Sequence, residues 1–465
     1  MTHSSPQRTE HDLLGKRCVP EDALWGIHTA RAIENFPVSG YRTSTALLKA
    51  LAHVKKACCL ANAELGFLPR DTAECIQTAC DEVAEGRFSD QFPLDALQGG
   101  AGTSTNMNMN EVIANRALEL GGFPRGDYSR IHPIEHVNLH QSTNDVYPTA
   151  LKIAAIRSFR TFSAAAETLQ GSFQSSENKF ADFPIIGKTE MMDAVPMTLG
   201  KIFSAHADAI ARDRWRAFKC EERLRTVNLG GTAVGTGLTA PRSYIFLVIE
   251  KLREVTGLGL ARGENTVDQT ANADAFVEVS ATLKAAACNL EKIARDLRLM
   301  HARGEIALPP VQAGSSIMPG KVNPVICECA IQCAMKIHAN DLLVGLCAGQ
   351  GTLQINEFLP LLGFALLESL SLLENAFLLL ARHAAALSAD AAACRRHLDA
   401  SPSLITAFLP LIGYERATEL AQAFQTSGET DLRAFLFREL GEEAVNTTLA
   451  PQRLTALGYA HAKHT

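Results

Sequence analysis

The sequence predicts an all-α fold, and three observations carry that expectation. Alanine, leucine, glutamate, lysine and arginine fill the periodic stretches, where apolar residues recur at helical spacing. Alternating valine and isoleucine runs are nearly absent, and Tyr and Trp number only 6 and 2 in 465 residues. At least two periodic stretches are longer than about 25 residues, which suits an elongated helical bundle.

The elements follow in order. Residues 1–11 read as frayed. Helices are expected over 44–64, with Lys55 and Lys56 interrupting the Ala/Leu pattern, and over 70–84. The run QGGAGTSTNMNMN, 98–110, holds three glycines for tight turns and Thr, Ser and Asn side chains as donors. Helical patterns return over 149–179 and 198–227, and LGGTAVGTGLTAP, 229–241, interrupts with small residues. From 267 to 302 neither Pro nor Gly occurs, so one long helix is expected. A loop-like GEIALPPVQAGSSIMPGKVNP leads into another helix over 325–347. The most apolar run, FLPLLGFALLESLSLLENAFLLLA, contains Pro360, Glu368 and Glu374 and reads as a buried bundle helix, not a membrane span. Long helices such as AFVEVSATLKAAACNLEKIA carry apolar residues on more than one stripe, which favours an oligomer built through the bundle.

Composition narrows the function. The net charge of −6, with both signs interspersed, gives no electrostatic case for nucleic acid. The polar start MTHSSPQRTE has no apolar signal core, and the 12 cysteines, mostly on apolar helical segments, read as reduced thiols of a cytoplasmic protein. Cys327, Cys329 and Cys333 do not have zinc-ligand spacing, and no metal is expected. Neither a GxGxxG after a strand nor a GxxxxGK[ST] loop is present.

Three loops concentrate small polar residues in this Ala/Leu-dominated chain: GGAGTSTN at 99–106, HQSTND at 140–145 and GSSIMPGKVNP at 314–324. Taken singly, each reads as a helix cap as readily as a site. Together, with Lys321, they suit an anion held by many donors. A serine there that takes a proton needs its pKa lowered, at about 1.4 kcal/mol per unit, by donors and the nearby lysine. His132, His136 and His140 read as structural or rim residues, none of them a base.

At GSSIMPGKVNP the chain resembles the aspartase/fumarase superfamily, whose signature this segment matches over its full length. DLLGKRCVPEDALWGIHTARAIENF, QGGAGTSTNMNMNE, HVNLHQSTNDVYPT, DAVPMTLG and NLGGTAVGTGL extend the likeness over all but about the last 70 residues. The resemblance implies a three-domain fold with a long central helical bundle, divided here as 1–141, 142–395 and 396–465. It also implies a homotetramer whose active sites are each built from three chains. The reaction implied is reversible anti elimination through an aci-carboxylate carbanion, without cofactor or metal. By resemblance Ser316 is the base, in a loop that closes on the substrate. Thr103, Ser142, Thr143 and Ser315 hold the carboxylate that gathers charge, Lys321 and Asn323 hold the other, and Asn144 and Thr189 lie by the leaving group.

Details separate the branches. Ala101-Gly102-Thr103, Ser142-Thr143-Asn144 and DAVPMTLG have the aspartase form, whereas Gly320 and Cys327 look like fumarase. The weight falls on an ammonia-lyase acting on L-aspartate or a close analogue to give fumarate. Glu190 departs from the family, where histidine or glutamine is usual. A histidine there pairs with a glutamate matching Glu328, so two carboxylates are expected together, sharing a proton or neutralised by the substrate's ammonium. Met191, Met192 and Phe358 offer an apolar wall suited to a substituted amine, and packing is the plainer reading of the methionines. Release of a substituted amine from a modified aspartate or an amino-acid betaine, fumarate hydration and a non-enzymatic structural role stay open as alternatives.

Overall fold

The computed structural model describes residues 6–459. Its helices follow the sequence pattern closely in the first third of the chain. After α1 (Ile27–Asn35), α2 (Thr45–Glu64) and α3 (Arg70–Ala84) occupy the expected stretches. Leu47, Leu51, Val54, Cys58 and Ala61 form the buried face of α2 at helical spacing. Gly66, at φ +78°, and Pro69 separate the two helices. α4 (Thr103–Leu120) and α5 (Thr143–Lys179) follow. α5 starts six residues before the expected 149 and runs through Pro148, because the Asn144 carbonyl that Pro148 cannot bond accepts the Asn228 amide at 2.9 Å instead. Next come α6 (Leu199–Leu224), α7 (Arg242–Thr256), α8 (Thr266–Ala271) and α9 (Asp274–Ala302). α10 (Val325–Gly349), α11 (Leu359–Ala385) and the shorter helices α12 (Ala391–Asp399), α13 (Leu409–Ser427), α14 (Leu432–Leu440), α15 (Glu442–Thr448) and α16 (Pro451–Leu454) complete the series.

Two expectations need correction. Gln7–Asp12 is a strand, β1, paired antiparallel with β2 (Gly15–Pro20), and is not frayed. The Arg31 guanidinium grips Asp12 with two bonds of 2.7 Å, and Arg8 bonds the carbonyls of Pro20, Ala23 and Trp25. Residues 1–5, the rest of that stretch, lie outside the described residues. The 267–302 stretch is two helices: Asn272 turns extended (φ −105°, ψ 145°) and ends α8, its amide bonded to Asp268. The segment around Glu190, to which the sequence assigns no element, is a β-hairpin, β3 (Pro184–Thr189) with β4 (Met192–Thr198).

The contacts resolve into two compact units. One comprises 1–163, 216–285 and 335–373, the other 164–215, 286–334 and 374–465. α5, α6, α9, α10 and α11 each contribute a segment to both. α11, the one described helix long and apolar enough to span a membrane, buries Leu362, Leu366, Leu370, Leu373, Phe377 and Leu380, as a bundle helix should. In the second unit the C-terminal helices close on their own core, with Leu404, Phe408, Leu420, Leu432 and Leu436 nearly solvent-free. All twelve cysteines are free thiols.

Candidate active site

In the first unit the polar loops at 99–106 and 140–145 meet at two helix N-termini. Gly102, at φ +92°, enters α4, and a Cβ there would stand 2.4 Å from the Tyr147 ring, so only glycine fits. Thr103 is the exposed first residue of α4. One turn on, Asn106 donates its amide to the Thr143 hydroxyl at 3.0 Å, joining the first turn of α4 to that of α5. Ser142 Oγ accepts the Asn144 backbone N–H at 3.2 Å, so this serine caps α5 and keeps its own proton for a further partner. Asn144 gives its amide to the Ala233 carbonyl at 2.7 Å. Two adjacent helix N-termini lined with hydroxyls can receive an anion.

Beneath them lies a buried network that sequence reasoning passed over. Lys55, fully buried, donates to Asn138 Oδ1 at 2.9 Å and Gln141 Oε1 at 2.8 Å. Asn106 and Asn110 donate to the same Asn138 oxygen. Asp145, also fully buried, accepts the N–H groups of Ser142, Gly230 and Thr232, which ties the 140s loop to the small-residue loop at 229–241. Burial pushes the Asp145 carboxyl up to about 6 and the Lys55 ammonium down to about 8. The spacing of Asn106 and Asn110, one helical turn apart inside α4, was the available signal. Lys55→Met leaves Gln141 Oε1 without its donor, at about 1–3 kcal/mol, whereas Asn138 Oδ1 keeps the Asn106 and Asn110 amides. The folded chain releases the Lys55 proton near pH 8 and the unfolded chain only near 10.5. This group's contribution to stability therefore grows as pH rises through that window and falls as pH drops towards 8. Denaturant titrations of both proteins across the window are expected to show a lower midpoint for Lys55→Met and the loss of that rise.

The histidines of this region have structural duties. His132 Nδ1 accepts the N–H groups of Ile134 and Glu135, His136 Nδ1 accepts that of His132, and His140 bonds Asn62 at 2.7 Å.

In the second unit the loop 314–324 is closed on itself. Gly314 N–H donates to the Lys321 carbonyl at 2.8 Å, and the Asn323 amide donates to the Gly314 carbonyl at 3.0 Å. A Cβ at Gly314 would meet that Lys321 oxygen at 2.8 Å. Ser315 Oγ accepts the N–H groups of Ile317 and Met318. Ser316 and Lys321 are exposed, and among the described residues neither side chain has a hydrogen-bonding or ionic partner. The loop thus holds its own shape while presenting one hydroxyl and one ammonium outward. Gly320, at φ +80°, gives it a turn that other residues adopt reluctantly.

Glu190 and Met191 form the two-residue turn between β3 and β4, with φ +54° and +71°. A turn with both residues left-handed ordinarily carries Asn-Gly; here two side chains with a Cβ accept roughly 1–2 kcal/mol of strain each. Lys188 and Asp193 clasp the strands behind the tip at 2.5 Å. Thr189, Glu190, Met191 and Met192 are all exposed. Glu328, in the first turn of α10, has the Arg298 guanidinium at 3.4 Å, whereas Glu190 has no ionic partner among the described residues. No hydrogen bond or ion pair joins the two glutamates within the chain. Phe358, in the first unit, is partly exposed, its N–H bonded to Asn356 Oδ1.

Comparison with known proteins adds to this geometry. A family model described as "Lyase" matches residues 15–339. An aspartate ammonia-lyase from Bacillus sp is 42% identical over 463 residues, covering 98% of this chain and 99% of that protein. Among solved structures, the fumarate lyase:delta crystallin from Brucella melitensis superposes with a TM-score of 0.93 at 43% identity, over 97% of this chain and 100% of that one. A class II fumarase from Schistosoma mansoni gives 0.89 at 30% identity, over 96% and 98%.

Proposed function

The chain belongs to the lyase family of the aspartase/fumarase superfamily, and from that premise we propose that it eliminates ammonia from L-aspartate to give fumarate. The observation that carries this reading is the 42% identity to an aspartate ammonia-lyase over 98% of the chain. The enzyme is a carbon–nitrogen lyase.

In the proposed reaction Ser316 Oγ takes the proton from the carbon next to the β-carboxylate. The C–H electron pair moves into that carboxylate, making the aci-carboxylate. It then returns to form the carbon–carbon double bond as the C–N bond breaks and ammonia leaves. Charge gathers where hydroxyls and helix N-termini stand ready: Thr103, Ser142 and Thr143, with Ser315. Lys321 and Asn323 take the second carboxylate, for which Asn323 exchanges its bond to Gly314. Asn144, Thr189 and Glu190, with Glu328, face the amine. No cofactor enters the scheme.

Each site is assembled from three chains of a homotetramer. Met335, Leu342 and Leu346, spaced i, i+7, i+11 on α10, are 52%, 66% and 55% exposed, and this apolar stripe supports burial by further copies. Within each chain 1–141, 142–395 and 396–465 act as the three domains, and the reduced thiols suit the cytoplasm. Met191 and Met192, about 70% exposed beside Glu190, support an extension to an N-substituted amine. The reaction is tested by measuring fumarate and ammonia together from L-aspartate. Equimolar release is expected, and release of neither product from L-aspartate would overturn the reading.

A further inference from the structure

A cavity of about 530 Å³ lies in the second unit behind the Glu190 hairpin. Its walls are β3 and β4, the first half of α6 and the C-terminal half of α9, with Arg303 and Glu305 at one end. α6 and α9 run antiparallel, since Asn289 bonds Asp213 at 2.9 and 3.0 Å while His206 faces Asp296. On α6, Lys201, Ala205, Ala209 and Arg212 fall on one face at i, i+4, i+8 and i+11 and line the cavity. The two alanines leave the floor open between two cations roughly 16 Å apart along the helix axis.

The charges lining this space are unequal. Five cations (Lys188, Lys201, Arg212, Lys292 and Arg303) face two carboxylates, Asp296 and Glu305. Lys292 is taken by Asp296, Arg303 by Glu305 and Lys188 by Asp193. Lys201 and Arg212 have no ionic or hydrogen-bonding partner among the described residues. Between them the wall is apolar, with Ile202, Ile293, Met197 and Met300. His206 also lines the cavity. It is 4% exposed, its Nε2 makes no hydrogen bond, and the nearest carboxylate oxygen, on Asp296, is 3.9 Å away. Burial holds its imidazole down at about 4, hence neutral. An unsatisfied buried nitrogen is costly unless something completes it.

We propose that this cavity is an effector site for an amphipathic organic anion, its charged group held by Lys201 or Arg212 at one end of the α6 floor and its apolar body against the methionine and isoleucine wall. Lys188 and Met191, which line the cavity, flank Thr189 and Glu190 at the hairpin tip. An occupant therefore bears on the turn that carries the leaving-group residues, and turnover responds to it. This coupling rests on the role given to Glu190 above; the binding does not.

The full-length protein is titrated with 8-anilinonaphthalene-1-sulfonate, whose fluorescence reports an apolar anion site, and the dye is competed with AMP and separately with octanoate. These arms separate a phosphate-bearing from a carboxylate-bearing ligand. Saturable binding, displaced by one of the two, is expected. Ala209→Trp, which fills the floor, and the pair Lys201→Glu with Arg212→Glu are each expected to weaken binding at least tenfold with the circular dichroism unchanged. Unaltered dye affinity in the folded charge-reversed protein, or no displacement by either competitor, overturns the site. The charge-reversed pair decides the matter if Ala209→Trp misfolds. The displacing anion at saturation is expected to change kcat/KM for L-aspartate at least threefold in the wild type and not in Ala209→Trp or, should that fail to fold, the charge-reversed pair; binding without that change overturns the effector role. Fluorescence needs no turnover, so a failed site and a wrong substrate give different results.

Discussion

Replacing Ser316 by alanine is expected to lower kcat for ammonia release by about 10²- to 10⁴-fold, the usual contribution of a positioned base. The fold should not notice. Ser316 is exposed and makes no hydrogen bond among the described residues, whereas its neighbours Gly314, Ser315 and Asn323 hold the loop together. A surface change of this kind moves stability by no more than about 0.5 kcal/mol. Steady-state turnover beside a thermal melt separates the two effects. Turnover within tenfold of wild type, with the melt unchanged, would move the base to another residue.

The second large effect concerns Glu190. Glu190→Gln removes one negative charge and keeps both shape and turn, because glutamine meets the same backbone penalty at φ +54°. If the carboxylate seats the substrate's ammonium, a charge-assisted hydrogen bond worth about 1.5–3 kcal/mol is lost. That corresponds to roughly a 10- to 150-fold fall in kcat/KM for L-aspartate. A ratio within twofold of wild type would show that the amine is held elsewhere. Glu190→Gly is a useful companion. It relieves the left-handed strain, so it should raise the melting temperature while losing activity as Glu190→Gln does.

The parts that sequence reading reached, and those it missed, differ for physical reasons. α2 and α3 were legible to within a residue or so because their apolar stripes end at Gly66 and Pro69, which leave the backbone little choice. The division between α8 and α9 was hidden, since it is made by one asparagine in extended geometry with neither Pro nor Gly to mark it. The hairpin was hidden for a similar reason: Glu-Met occupies a turn whose usual mark is Asn-Gly. The donors of the first unit were visible as Thr103, Ser142 and Thr143, yet the network supporting them was not. Lys55 read as an interruption of an apolar stripe because lysine is ordinarily a surface residue; only its fully buried bonds to Asn138 and Gln141 show what it does. Asn323 was read as a carboxylate ligand, and in the structure its amide first closes the loop around Gly314.

The choice between ammonia and water as leaving group is the centre of the account, and the purified enzyme can be asked directly. Fumarate formation is followed by ultraviolet absorbance from L-aspartate and from L-malate under the same conditions, and kcat/KM is compared. Rapid release from L-aspartate, with L-malate poor or inert, is the predicted result. Rapid fumarate formation from L-malate and none from L-aspartate would contradict it.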